Sequence, residues 1–312
     1  MTYLDSHGND IYLRSKHEDI YVDYLSSGPS KADIELDADD SVYLAGQLYN
    51  GDIGQIIAGD DLCIRAGDDI RLIGNVSAGG DVNLCAHGGV EIAGTVVAGD
   101  DIWIKTDHGD VVIKGAVQAG DRLDVSSGRN LIISAPLKAG NDLNLYAKGC
   151  LKTINALATL TAGMNVVLGT CWGDIEIFGA ITAGAGYVPC SSKYCCCWCQ
   201  DRPDVVINSG GAVRLHGAVT SQDDVIISAW GDIEVSGTIA AGDEIRLSTF
   251  DDLTLLPGSL LTGTSGKKAQ RVSLSARDHV SLQGTINAEK LVVIPKVGCS
   301  KLFMSETRCL RC

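Results

Sequence analysis

The sequence is short of basic charge, aromatic rings, proline and long apolar runs, and each shortage excludes something. Its 25 Lys and Arg stand against 39 Asp and Glu, a formal net charge of −14 at pH 7. Phosphate repels a chain of that sign, and no basic patch interrupts it, so nucleic-acid binding is not expected. Aromatic residues are 5 % of the chain, too few to suggest base-stacking platforms or a deep aromatic ligand pocket. With only 6 Pro among 312 residues and 45 % apolar residues, the chain is neither Pro-rich nor disordered. No run approaches the ~18–20 apolar residues that cross a bilayer, and residues 1–10 lack a basic segment leading into an apolar one, so neither a span nor a signal peptide is expected.

What is abundant is Gly, at 37 positions, and the small and β-branched apolar residues. They repeat. Ala-Gly, a polar pair and an apolar-polar-apolar triplet recur as Ala78-Gly79-Gly80-Asp81-Val82-Asn83-Leu84, Ala98-Gly99-Asp100-Asp101-Ile102-Trp103-Ile104 and Ala119-Gly120-Asp121-Arg122-Leu123-Asp124-Val125. The pattern returns at Ala139, more loosely at Ala162, and clearly at Ala241, with a period of about 20 residues. A second triplet lies between these, ending near a Gly: Ile70-Arg71-Leu72, Val90-Glu91-Ile92, Val111-Val112-Ile113, Ile175-Glu176-Ile177, Val213-Arg214-Leu215 and Ile233-Glu234-Val235. A third apolar point follows at Val76, Val96, Val117, Leu137, Ile181, Val219 and Ile239.

A period of two sends the outer residues of each triplet to one side and the middle residue to the other. Three residues cannot hold a sheet alone. If each unit is one turn of a coil, every triplet pairs in parallel with its equivalent in the next turn, and like residues stack ~4.8 Å apart. The expected fold is therefore all-β, a parallel β-helix (solenoid) of about a dozen turns of ~20 residues, with Val, Ile and Leu inside. Gly and Ala fall at corners that need a positive φ or a tight approach. Asp, Asn and Ser at those corners are placed to satisfy turn amides.

The repeat, in stretches such as Ser77-Ala78-Gly79-Gly80-Asp81-Val82-Asn83-Leu84, resembles the haemagglutinin-type repeats of filamentous haemagglutinins and other two-partner secretion exoproteins. The resemblance covers most of residues 70–255 and, more loosely, the flanks from Ile11 to Ile294. It implies a right-handed coil and an extracellular or cell-surface adhesin. This chain departs from the family pattern in showing no amino-terminal secretion domain and in carrying cysteines.

A single β-helix domain is expected over residues 1–294, followed by a Cys-containing tail over 295–312, the repeat being lost from Pro295. Ile11-Tyr12-Leu13, Ile20-Tyr21-Val22, Ile34-Glu35-Leu36 and Val42-Tyr43-Leu44 read as irregular first turns, with Tyr residues covering the open end of the core. Residues 148–161 read as an irregular coil or a helical turn. From Ala183 to its equivalent Ser221 the spacing is 38 residues, so about 17 are extra, at 187–203.

That insertion holds Cys190, Cys195, Cys196, Cys197 and Cys199 beside Trp198. Loops leaving a regular scaffold commonly carry function. Five thiols in ten residues suit disulfides or a thiophilic metal such as zinc, although the paired C-x-x-C knuckles of common zinc sites are missing. The tail adds Cys299, Cys309 and Cys312, candidates for a cross-link within the chain or to a neighbour. Cys63, Cys85, Cys150 and Cys171, scattered in the repeat, are expected to be buried small hydrophobes or turn-to-turn disulfides.

Asp61, Asp69, Asp81, Asp101, Asp142, Asp224 and Glu244 are expected to form ladders along one edge. Like charges ~5 Å apart repel, so turn amides or a cation such as calcium must compensate, and Arg122 is placed to relieve the charge. Turn capping is the favoured reading, since the nonapeptide that wraps calcium in other β-rolls is absent. No Ser-His-Asp or paired-His motif appears, and the six His are dispersed. The expectation is a non-enzymatic structural or adhesive surface or filament protein without a cofactor. It is expected to associate with itself through coil ends and to meet a surface glycan or protein receptor. A metal-binding module at the Cys loop and a polysaccharide-acting β-helix enzyme are the alternatives.

Overall fold

The computed structural model describes residues 3–29, 31–46, 53–184, 204–295 and 303–304. The chain divides into two compact units, Met1–Gly149 and Cys150–Cys312, both built on the same plan. Between them they carry about 13 turns of a parallel β-solenoid, each turn giving one short strand to each of three parallel sheets. The one helical element among the described residues is a single 3-10 turn, Thr264–Gly266.

One turn of the first unit illustrates the plan. Val82–Ala86 is a five-residue strand, Val90–Ile92 a triplet and Val96–Ala98 a second triplet, with corners between. The five-residue strand pairs in parallel with Leu62–Ala66 before it and Ile102–Thr106 after it, placing Leu62, Val82, Ile102 and Leu123 in one inward ladder. In the second unit Val205, Val225, Ile245 and Val272 form the equivalent ladder. All eight are fully buried. Alternation of inward and outward side chains is what selects this register, because a slip of one residue would turn every apolar ladder outward.

The corners are closed by two devices. Buried hydroxyls at the ends of the long strands donate to the turn carbonyl three residues on: Thr106 to Gly109 (2.8 Å), Ser127 to Asn130 (2.8 Å), Thr170 to Gly173 (2.6 Å) and Ser209 to Ala212 (3.1 Å). Glycines stack at the other corners. A methyl at Gly94 or Gly115 would overlap the carbonyl oxygen of Gly74 or Gly94, one turn earlier, and Gly99, Gly120 and Gly140 form a second ladder of that kind. These repeat glycines are required by close approach; positive φ among described glycines is confined to Gly8, Gly28, Gly184, Gly258 and Gly266.

Several local expectations are corrected. Tyr12 and Tyr21 do not cover the core: they are 65 % and 64 % exposed, and Tyr21 stacks on Tyr43 on the outer face, 5.0 Å between centroids. Of residues 148–161, the irregular stretch expected there is confined to 154–159, where Ile154 and Leu157 are exposed, because Leu151–Thr153 and Leu160–Ala162 on either side are strands. The repeat also outlasts Pro295, since Phe303–Met304 pairs with Ser281 and Leu282. Flanking the interruption the register is kept, with Ile181 opposite Val219 and Val166 opposite Val205. The insertion itself lies outside the described residues.

Candidate functional site

Carboxylates are the commonest reactive groups, and the fold decides what they do. A corner precedes each five-residue strand, and the amide there needs an acceptor in the turn before it. Asp61 Oδ1 accepts the Asp81 N–H (2.8 Å), Asp81 Oδ1 the Asp101 N–H (3.0 Å) and Asp101 Oδ1 the Arg122 N–H (2.8 Å). In the second unit Asp204 and Asp224 do the same for Asp224 and Glu244, at 3.0 and 2.8 Å. Turn capping is therefore what these side chains do. They do not share one edge, however: Asp69 belongs to a second ladder, before the triplets, where it accepts the Gly89 N–H (2.7 Å), with Asp110 serving Asn130 (2.9 Å) and Asp174 serving Ala212 (2.8 Å).

Stacking carboxylates in this way has an electrostatic cost. Burial, with the neighbouring charges of Asp61, Asp101 and Asp100, pushes Asp81 above the usual carboxylate range although it accepts an amide. Asp224 is raised for the same reasons, by burial and by Asp223, Asp204 and Asp243. Where a cation is supplied the sign reverses. Burial opposes ionisation of Asp174, but the Ala212 N–H and the Arg214 guanidinium at 2.8 Å outweigh it and hold the carboxyl low.

Three groups bring carboxylate oxygens within 4.8 Å of one another: Asp100, Asp101 and Asp121; Asp204, Asp223 and Asp224; Asp251, Asp252 and Asp278. These are the described residues that could ligate a hard cation such as calcium. In each group at least one carboxylate already holds a backbone amide, as Asp252 does for His279 at 2.9 Å.

The cysteine expectations divide. Cys190, Cys195, Cys196, Cys197, Cys199, Cys299, Cys309 and Cys312 lie outside the described residues. Cys63, Cys85, Cys150 and Cys171 carry thiols and are neither buried nor disulfide-bonded, because each sits at an outward or corner position of its turn: Cys85 and Cys150 are exposed, Cys63 and Cys171 half-buried.

Two concave surfaces carry charged or aromatic side chains; a roomier one of about 810 Å³, lined by Thr220, Thr262, Ser265 and Asn287 among others, carries neither. In the first unit Asp69, Arg71, Glu91, His108 and Asp110 surround a depression of about 350 Å³. Its charges answer one another: Asp69 pairs with Arg71 (3.4 Å), Glu91 with Lys114, and Asp110 with the Asn130 amides. His87 and His108, dispersed in sequence, meet edge-on at 4.7 Å because they are one turn apart.

In the second unit a depression of about 280 Å³ is lined by Cys171, Asn208, Gly210, Ser228, Trp230 and Phe250, among others, with no charged side chain. Trp230 and Phe250 stack at 4.7 Å and 14° while remaining 67 % and 48 % exposed. Sequence reasoning missed this pair. The available signal was that the two aromatics stand one period apart.

Compared with known proteins, the chain matches no family model, no curated protein and no solved structure. The likeness to haemagglutinin-type repeats thus rests on the repeat residues themselves.

Proposed function

We propose that this is a non-enzymatic structural or adhesive solenoid of a surface or filament, whose work is to hold a rigid, regularly spaced outer face against a partner. The observation that supports it most is the engagement of the repeated carboxylates. Asp61, Asp81, Asp101, Asp204 and Asp224 each accept the backbone amide of the next turn. Catalysis by paired carboxylates needs two such groups facing one bond, one to protonate and one to attack or to activate water. Here the same groups brace the coil, and in the charged depression Asp69 and Glu91 are each paired with a neighbouring cation. Assembly belongs to the same proposal: among the described residues Tyr3–Asp5, Ile11–Ser15 and Ile20–Val22 each pair on one side only, so their other edges can template a second copy.

The test is to incubate the full chain with a panel of neutral and acidic polysaccharides while following reducing ends and unsaturated products, and in parallel to measure retention of particles coated with the chain on cell and glycan surfaces under flow. No product above a heat-inactivated control, together with retention, is expected. Product release, or no retention on any surface, overturns the reading.

A further inference from the structure

The depression around Trp230 in the second unit takes its geometry from one corner ladder. Its corner ladder runs Cys171, Gly210, Trp230, Phe250, as the backbone bonds from Gly210 to Thr170, from Trp230 to Ser209 and from Phe250 to Ala229 establish. Phe250 covers one face of Trp230. On the other side the ladder position is Gly210, which cannot carry a side chain because a Cβ there would overlap the Cys171 carbonyl. One rung of an aromatic stack is thus left without a side chain, with an indole face on one side of the gap. Beside it, Asn208, Ser228 and Ser248 occupy successive rungs of the outward face of the long-strand sheet. No hydrogen bond to another described residue involves their side chains.

We infer that this shelf binds a hexopyranose ring of a neutral glycan, its C–H face lying on Trp230 in the rung above Gly210 and its hydroxyl rim meeting Asn208 and Ser228. The inference deepens the adhesive reading and rests on it. A missing rung in a ladder spaced ~4.8 Å leaves room for the thickness of one ring, and Asn208, on the Gly210 rung, offers amide donors and an acceptor beside it. The volume, near the lower end of small-ligand pockets, suits one ring rather than an extended macromolecular contact. The uncharged lining, in a chain of net charge −14, selects against carboxylated or sulfated sugars. A proline-rich segment needs a cleft between aromatic rings, and Trp230 and Phe250 close on each other.

The experiment titrates the full chain with cellotetraose and maltotetraose, with oligogalacturonate and a proline-rich peptide as comparators. Saturation-transfer NMR and Trp fluorescence report binding, and sedimentation reports self-association. Saturable binding of a neutral oligosaccharide is expected, weakened about tenfold or more in Trp230→Ala, as loss of a stacking surface implies, and unchanged in Trp103→Phe in the other unit. Trp230 is exposed, so its removal leaves the core intact. Asn208→Ala, also exposed, gives a second reading and is expected to weaken binding several-fold. No neutral-sugar binding, unchanged affinity in both shelf variants, or preference for oligogalacturonate or the peptide overturns the inference. So does self-association that Trp230→Ala abolishes. Release of reducing ends from a bound oligosaccharide would overturn the non-enzymatic reading and leave the shelf assignment standing. Absence of binding by a chain that still retains particles would overturn the shelf alone.

Discussion

Replacing Ile102 tests the register of the coil at a single position. The side chain is fully buried, stacked between Val82 and Leu123. Truncation to Ala removes three carbons from a ladder whose strands are held by their hydrogen bonds, so the cavity cannot collapse, and a loss of ~2–5 kcal/mol follows. For a unit of this size that is a fall in Tm of roughly 4–20 °C. Ile102→Asp is expected to exceed it, because an unpaired carboxylate enters the core. Lys105, three residues on and exposed, is the control, with a change of less than ~0.5 kcal/mol on truncation. Because each turn contacts mainly its neighbours, hydrogen exchange should accelerate in Val82–Ala86 and Leu123–Ser127 while Ile34–Ala38 keeps its protection. Equal losses from Ile102→Ala and Lys105→Ala, or uniform loss of protection, would refute the register.

Further outcomes follow from the corners and the thiols. Gly120→Ala, which at an open position would be mildly stabilising, is expected to cost ~1–3 kcal/mol because its methyl meets the Gly99 carbonyl; a neutral result by denaturant unfolding would remove the close-approach argument. Asp81 has a raised pKa in the fold, so its ionisation weakens the native state as pH rises through that value; Asp81→Asn should stabilise at pH 7, with the gain fading on acidification below the unfolded value. Asp174 is lowered, so its contribution is present above the unfolded pKa and lost as pH falls through the folded one; Asp174→Asn should destabilise at pH 7 and converge with the parent in acid, and the opposite trends in pH-dependent melting would contradict both assignments. Burial raises the Cys63 thiol, so alkylation should reach exposed Cys85 first and Cys63 only at more alkaline pH; equal rates by mass spectrometry would count against their placement.

The coil was legible in the sequence because its period is written twice, in the apolar triplets and in the corner residues. Val90-Glu91-Ile92 and Ile233-Glu234-Val235 can bury two side chains only as short strands, and a strand of three residues must find its partner one period away. The acidic ladder was legible for the same reason. Its split into two ladders was not, because Asp61 and Asp69 look alike in sequence and differ only in which corner they occupy. Outward positions were the hardest to read. Cys63 and Cys85 stand in the middle of apolar strands, where composition suggests burial, yet alternation turns them outward. The Trp230 shelf arises from what stands above and below one residue in space, including a glycine whose lack of a side chain leaves the gap.

The parallel, in-register stacking of successive turns is tested most directly by backbone NOE spectroscopy on the labelled full chain. Inter-strand contacts from Ile102 to both Val82 and Leu123, and from Val225 to both Val205 and Ile245, are the expected result. Close Hα–Hα contacts between Val82–Ala86 and Val90–Ile92, the mark of an antiparallel hairpin, with none from Ile102 to Val82 or Leu123, would contradict the coil.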